Sequence, residues 1–187
     1  MAAPDHLYFT DDDEACRLVA ADPFALLVGF VLDQQVTVQT AFAGPLRLKQ
    51  RLGTIDPKAI AGTDPAKLEA VFREKPAIHR YPGAMAGRVQ ELASVIVEEY
   101  GGRAERVWAK AADAEDLRRR LRSLPGFGDM KVRTLNDVLY KRFGVAAAQG
   151  IARDHKTLGD VDSHESLAAY QAAKRAHKAA MRSAKAS

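Results

Sequence analysis

Cysteine is nearly missing from this chain: Cys16 is the only thiol in 187 residues. A single thiol cannot close an internal disulfide, nor supply the four ligands of an iron–sulfur or cysteine zinc centre. The fold must therefore be held by its own core, which a chain of this length can bury. No apolar run approaches the roughly 18 residues of a membrane-spanning helix. The start, Met-Ala-Ala-Pro-Asp-His, lacks a basic stretch leading into an apolar one, so neither a membrane nor a signal peptide is expected and the cytoplasm is the default. Period-2 alternation is missing too, which argues against sheet. The histidines at 6, 79, 155, 164 and 177 are scattered without ligand spacing, so no metal is expected.

What is present is ordinary globular composition, 47% hydrophobic and 28% charged, with a net charge of +4. The charge is unevenly spread. Residues 117–187 carry 15 Lys/Arg against 6 Asp/Glu, whereas residues 1–116 carry 13 against 18. A basic C-terminal part on an acidic N-terminal one fits either a polyanionic partner such as nucleic acid or a merely solvated basic helix.

The pattern reads as helix nearly throughout. Thr10 before Asp11–Glu14 predicts an N-cap with acidic residues at the positive helix end, and a helix to about Ala20. Asp22-Pro23 predicts a buried helix to Leu32 or Asp33. A further helix is expected from Val36 to about Arg47. Asp56-Pro57 and Asp64-Pro65 predict short helices over 57–61 and 65–73. Tyr81-Pro82-Gly83 reads as a turn before a long helix, Ala84 to Tyr100, stopped by Gly101-Gly102. Trp108 falls in an expected loop. Helices are expected from Asp113 to Arg122 and from Asp129 to Phe143. Residues 144–161 read as loop. The last helix, about 163–184, is expected to be capped by Asp162 and to face inward with Leu167, Tyr170 and Met181.

The stretch with most chemistry is Leu124-Pro125-Gly126-Phe127-Gly128 between two helices. Its glycines allow a tight turn, Phe127 would tuck between the helices, and the amides at Gly126, Gly128 and the next helix start would point outward. Free amides at a helix N-terminus, with Lys131 and Arg133 just beyond, suit a sequence-independent grip on a phosphate backbone. A tight turn with no ligand is the competing reading.

This stretch resembles the hairpin of the helix-hairpin-helix (HhH-GPD) base-excision DNA glycosylase superfamily, the group of endonuclease III, adenine glycosylase and alkyladenine glycosylase. Asp22–Leu27 followed by Leu32-Asp33-Gln34-Gln35-Val36-Thr37 resembles that family's first core helix and glutamine-containing turn. Ile96–Gly102 is similar to the helix end that leads toward the hairpin. Together these cover about residues 20–145, as a small member without the iron–sulfur cluster.

The resemblance implies an all-α, two-lobed fold with one unit over 1–187. It would consist of a core lobe over about 22–122, the helix-hairpin-helix at 113–143, and residues 144–187 forming a loop and a C-terminal helix packed with the N-terminal helix. It also implies a monomeric, nucleoid-associated repair protein acting on double-stranded DNA, damaged or mispaired, with one nucleotide rotated out of the stack. Gln35 matches the wedge that fills the gap, with Gln34 its neighbour, although an exposed helix junction would explain both. A monovalent cation, Na⁺ or K⁺, on hairpin carbonyls is also implied.

Two departures bear on chemistry. Lyase-competent members carry Lys at the second position after the last hairpin glycine, where an amine can attack C1′. Met130 stands there, and Lys131, one residue on, is rotated by about 100°. It is expected to touch phosphate or lie on the surface. The family's catalytic carboxylate follows some 18–20 residues later, yet Gly144–Ile151 contains none. Asp154, if the loop is longer, or Asp33, beside the glutamines, could substitute; so could no carboxylate at all. Asp160 and Asp162 come next in the chain, Asp162 being better explained as a helix cap. The expected activity is hydrolysis of an N-glycosidic bond without strong lyase chemistry. The alternative is a non-catalytic module that binds bent or damaged DNA. His79 is expected on a surface loop.

Overall fold

The computed structural model describes residues 4–149 and 156–186. Ten α-helices and two 3-10 turns, with no strand among those residues, make the chain all-α. None of the described helices is long and apolar enough to cross a membrane by itself.

Leu7 and Phe9 are fully buried ahead of α1 (Asp13–Ala21). Its cap is Asp12, whose carboxylate accepts from the Ala15 amide at 3.1 Å, not Thr10. Thr10 is instead buried, and its carbonyl accepts the Cys16 thiol at 3.2 Å. α2 (Pro23–Leu32) is the central rod, with every residue after the proline buried. Asp22 caps it twice, on the Phe24 and Ala25 amides at 2.8 and 3.0 Å, and a cap of this kind contributes about 1 kcal/mol. α3 (Val38–Leu52) outruns its expected end at Arg47. Pro45 is accommodated inside it, and Gly53, at φ 83°, stops it. α2 and α3 meet at Gly29, where a Cβ would fall 2.4 Å from the Phe42 ring.

α4 (Pro57–Ala61) and α5 (Pro65–Arg73) form where Asp-Pro predicts them, capped by Asp56 and Asp64. A strap of residues 74–81, containing a cis Lys75–Pro76 peptide, leads into α6. α6 (Pro82–Tyr100) begins at its proline, two residues before the expected start, because Pro is suited to the first helical position. α7 (Arg106–Ala109) replaces the expected loop and buries Trp108. α8 (Ala114–Ser123) and α9 (Asp129–Phe143) flank the hairpin.

Two 3-10 turns, Ala146–Ala148 and Leu158–Asp160, bracket the far half of α9. Asn136 donates to the Ala148 carbonyl at 2.9 Å, and Lys141 Nζ holds both Asp160 oxygens at 2.8 Å. α10 (His164–Ala186) is capped by the Ser163 hydroxyl, which accepts from the Ser166 amide at 3.1 Å, not by Asp162. Its start leans on the N-terminal segment through a Tyr8–His164 edge contact with centroids 5.2 Å apart. Met181, expected inside, is 51% exposed, because α10 by then has run past the packed body.

A chain of rings links the N-terminal segment to the hairpin. Phe9 meets Phe42 at 4.9 Å, Phe42 meets Phe30 at 5.2 Å, and Phe30 meets Phe127 at 6.3 Å, centroid to centroid. Phe127 therefore fixes the hairpin to the central rod.

Candidate functional site

A cleft of about 630 Å³ lies between the end of α2 and the hairpin. Gln34, Arg88 and Glu91 line one side. Pro125, Gly126, Gly128, Asp129, Met130 and Lys131 line the other. Gln34 thus faces hairpin residues more than 90 positions away in sequence.

The hairpin wall is built from backbone. Gly126 takes φ 81°, a conformation that suits glycine. Phe127 turns inward, and its amide donates to the Leu124 carbonyl at 3.1 Å. Gly128 caps α9 without any side-chain hydrogen bond. The amides of Gly126, Gly128, Asp129, Met130 and Lys131 reach no acceptor among the described residues. Such amides, at the positive end of α9, attract anions. Asp129 works against this, and its carboxylate is paired with Arg122 of α8. Met130 is 70% exposed beside them, and Arg133 is exposed one turn on.

The opposite wall is built from side chains. Gln35 is the one non-glycine residue with positive φ among those described, at 57°. Its neighbours hold it there. His79 Nε2 donates to the Gln34 carbonyl at 3.0 Å, while its Nδ1 accepts from the Tyr81 amide at 3.0 Å. Arg88 donates to Gln34 Oε1 at 2.6 Å, and the Tyr81 hydroxyl donates to Gln35 Oε1 at 3.3 Å. The strap is tied at its other end by Arg51, which donates to the Glu74 and Pro76 carbonyls at 2.8 and 2.7 Å.

His79 is thus 2% exposed, not on a surface loop. Burial lowers its pKa, opposed by the Gln34 and Leu32 carbonyls and assisted by the charges of Arg80 and Lys131. The neutral imidazole with hydrogen on Nε2 satisfies both bonds. No spacing signal marks this role, since the partner carbonyl is 45 residues away. Arg88 was equally invisible in sequence, yet its side chain also lies over Gly126, where a Cβ would come within 2.8 Å of its Cδ.

Lys131 lines the cleft and is not the surface side chain that one of its two expected placements described. It is half-buried, and its Nζ donates to the Val31 carbonyl at 3.0 Å, across from α9 to α2. Burial pushes its pKa down to about 8, with Asp33 opposing that shift and Arg88 adding to it. Asp33, half-buried at the C-terminal end of α2, has its carboxyl pKa raised by burial and held back by Lys174 and Lys131. Lys174 belongs to α10, so charges from α9 and α10 gather around Asp33 at the end of α2. Asp154 lies outside the described residues. Asp160, one of the later acidic residues, is committed to Lys141 and the Thr157 amide. Among the described residues no group of His, Cys, Asp and Glu is arranged to hold a metal ion.

The family model described as HhH-GPD superfamily base excision DNA repair protein matches residues 28–186. No curated protein and no solved structure matches the chain.

Proposed function

Because the chain belongs to the HhH-GPD superfamily of base excision DNA repair proteins, a group that binds DNA, we propose that it is a monofunctional DNA glycosylase. It would hydrolyse the N-glycosidic bond of a damaged or mispaired base in duplex DNA. The observation that carries this reading is the cleft itself, which sets unbonded hairpin amides opposite a rigidly held glutamine corner. The amides of Gly126, Gly128 and the first turn of α9 take the phosphates of one strand, with Arg133 adding charge. Gln35, braced by Tyr81, fills the space left when a nucleotide leaves the stack, and Gln34 sets its approach.

For the chemistry we take Asp33, next to the glutamine corner, as the carboxylate; of the two that line the cleft, Asp129 is paired with Arg122 and Glu91 stands on α6. Ionised, it stabilises positive charge growing on the sugar as the base departs. Lys131 and Lys174 oppose the effect of burial and favour that ionised form. Asp154 is the second candidate. A lyase step is disfavoured: Met130 stands at the family's amine position, and Lys131 Nζ is engaged by the Val31 carbonyl. A monovalent cation fits the turn, since the Pro125 and Gly126 carbonyls accept no hydrogen bond among the described residues, and carbonyl oxygens suit Na⁺ or K⁺.

Base release from a panel of lesion-bearing and mismatched duplexes tests the proposal. Activity on at least one is expected, falling about 100-fold in Asp33→Asn with DNA binding retained. Full activity in Asp33→Asn together with loss in Asp154→Asn moves the role to Asp154. A second reading, a non-catalytic module that grips bent or damaged DNA, has one observation in its favour: Asp33 is not among the residues lining the cleft. Binding to an abasic-site duplex with no release from any substrate would establish that reading instead.

A further inference from the structure

The latter half of α10 is a charged surface that the cleft does not account for. Residues 172–184 are all exposed. After Glu165 the chain contains no acidic residue. At about 100° per residue, Lys174, Arg175, Lys178 and Arg182 fall on one face, while Ala172, Ala173, Ala176, Ala179 and Ala180 occupy the other. None of the four cations forms a salt bridge among the described residues.

The orientation of this face is fixed by its own beginning. Gln171, in the middle of the same arc, is hydrogen-bonded to Gln39 in the first turn of α3, directly after the glutamine corner. Leu167, one turn earlier on that arc, is buried, and Lys174 lies within electrostatic range of Asp33. The face that packs on the body up to Gln171 therefore becomes cationic where the body ends, next to the α2–α3 junction that carries the glutamine corner. A helix stabilised only by its own alanines would not need charge confined to one side; Lys174 lies over the Tyr170 ring, 6.0 Å from its centroid, while Arg175, Lys178 and Arg182 form no salt bridge among the described residues.

We propose that the cationic face of α10 beyond Gln171 is a rail for the phosphates of the duplex flanking the cleft. The inference rests on the DNA-binding reading and extends it to a surface that contacts DNA away from the rotated nucleotide. From Ala172 to Ala186 the helix reaches about 22 Å, the rise of about six base pairs. Its contacts are to backbone only and carry no sequence preference.

The test is the salt dependence of binding by the full chain and by an Arg175→Ala/Lys178→Ala/Arg182→Ala variant. All three sites are exposed and alanine favours helix, so folding is preserved. The probes are a duplex of about 30 base pairs centred on a tetrahydrofuran abasic-site analogue, and the same duplex trimmed to about five base pairs on each side. On the long duplex the slope of log K against log salt is expected to fall by about two to three, and on the short one by less than about one. An unchanged slope on the long duplex overturns the proposal, as does an equal loss on both. Loss of adsorption to phosphatidylserine vesicles with the DNA slope unchanged overturns it in favour of a membrane surface. If the wild-type chain binds neither duplex, the DNA reading itself fails, an outcome distinct from failure confined to the variant.

Discussion

The glutamine corner and the hairpin face each other across one cleft, but the first is tied by side chains and the second is held almost entirely by backbone and one buried ring. Gln34 and Gln35 are gripped by His79, Arg88 and Tyr81. At the hairpin, Phe127 is the anchor, and a run of amides is left without acceptors. The difference matches what each wall would have to do under the proposed function. A group that invades a base stack has to resist being pushed back, so its conformation is over-determined, down to the positive φ of Gln35. A group that binds a phosphate must present unspent donors, so any internal hydrogen bond there would be lost affinity. Damage to the corner should therefore appear as lost stability, and damage to the hairpin as lost binding.

The strongest way to break that contrast is at His79. Replacing it with Ala leaves the Tyr81 amide unpaired and a cavity beneath the corner, and should lower unfolding free energy by about 2–3 kcal/mol in urea denaturation. The pH dependence adds a sign. The folded pKa of His79 lies below its usual 6.5, so the unfolded chain takes up more protons near that pH. Wild-type stability should rise as pH rises toward 6.5 and level off above it, and the His79→Ala variant should lose this part of the slope.

Gly126→Ala comes next. Positive φ and the overlap with Arg88 both oppose a Cβ, and the expected result is about tenfold weaker DNA binding with about 1 kcal/mol of stability lost. If stability falls as far as in His79→Ala with binding intact, the two walls do not divide their labour as argued. Lys131→Met sharpens the chemistry at the foot of the cleft. Removing a cation that favours ionised Asp33 should move the acid limb of the base-release profile to higher pH, because the carboxylate would need a higher pH to lose its proton. The smallest effect belongs to Asp129→Asn, which removes a negative charge from the hairpin's anion site and should tighten DNA binding two- to threefold at low salt, as about 0.5 kcal/mol implies.

How much could be read beforehand varies along the chain in a physically sensible way. Asp-Pro pairs declared α4 and α5 to the residue, because cap and first turn lie in adjacent positions. The hairpin was legible for the same reason, since its glycines and ring are consecutive. The glutamine corner was legible only in its own residues. Its supports, His79, Tyr81 and Arg88, approach from 45 or more positions away, and no local pattern encodes a contact of that separation. Lys131 was ambiguous in a related way: its position in the first turn of α9 leaves open whether a long side chain goes to solvent or reaches back across to α2. Met181 failed because inward periodicity means burial only where there is a body to pack against.

The row of rings from Phe9 through Phe42 and Phe30 to Phe127 has a consequence for how such a scaffold can change. Close-packed aromatics transmit displacement instead of absorbing it, so the gap between the glutamine corner and the hairpin is gauged by the thickness of this row. A lineage adapting to a bulkier or slimmer lesion could reset the calibre of the opening by exchanging a ring for an aliphatic group deep inside, leaving every DNA-touching residue as it was.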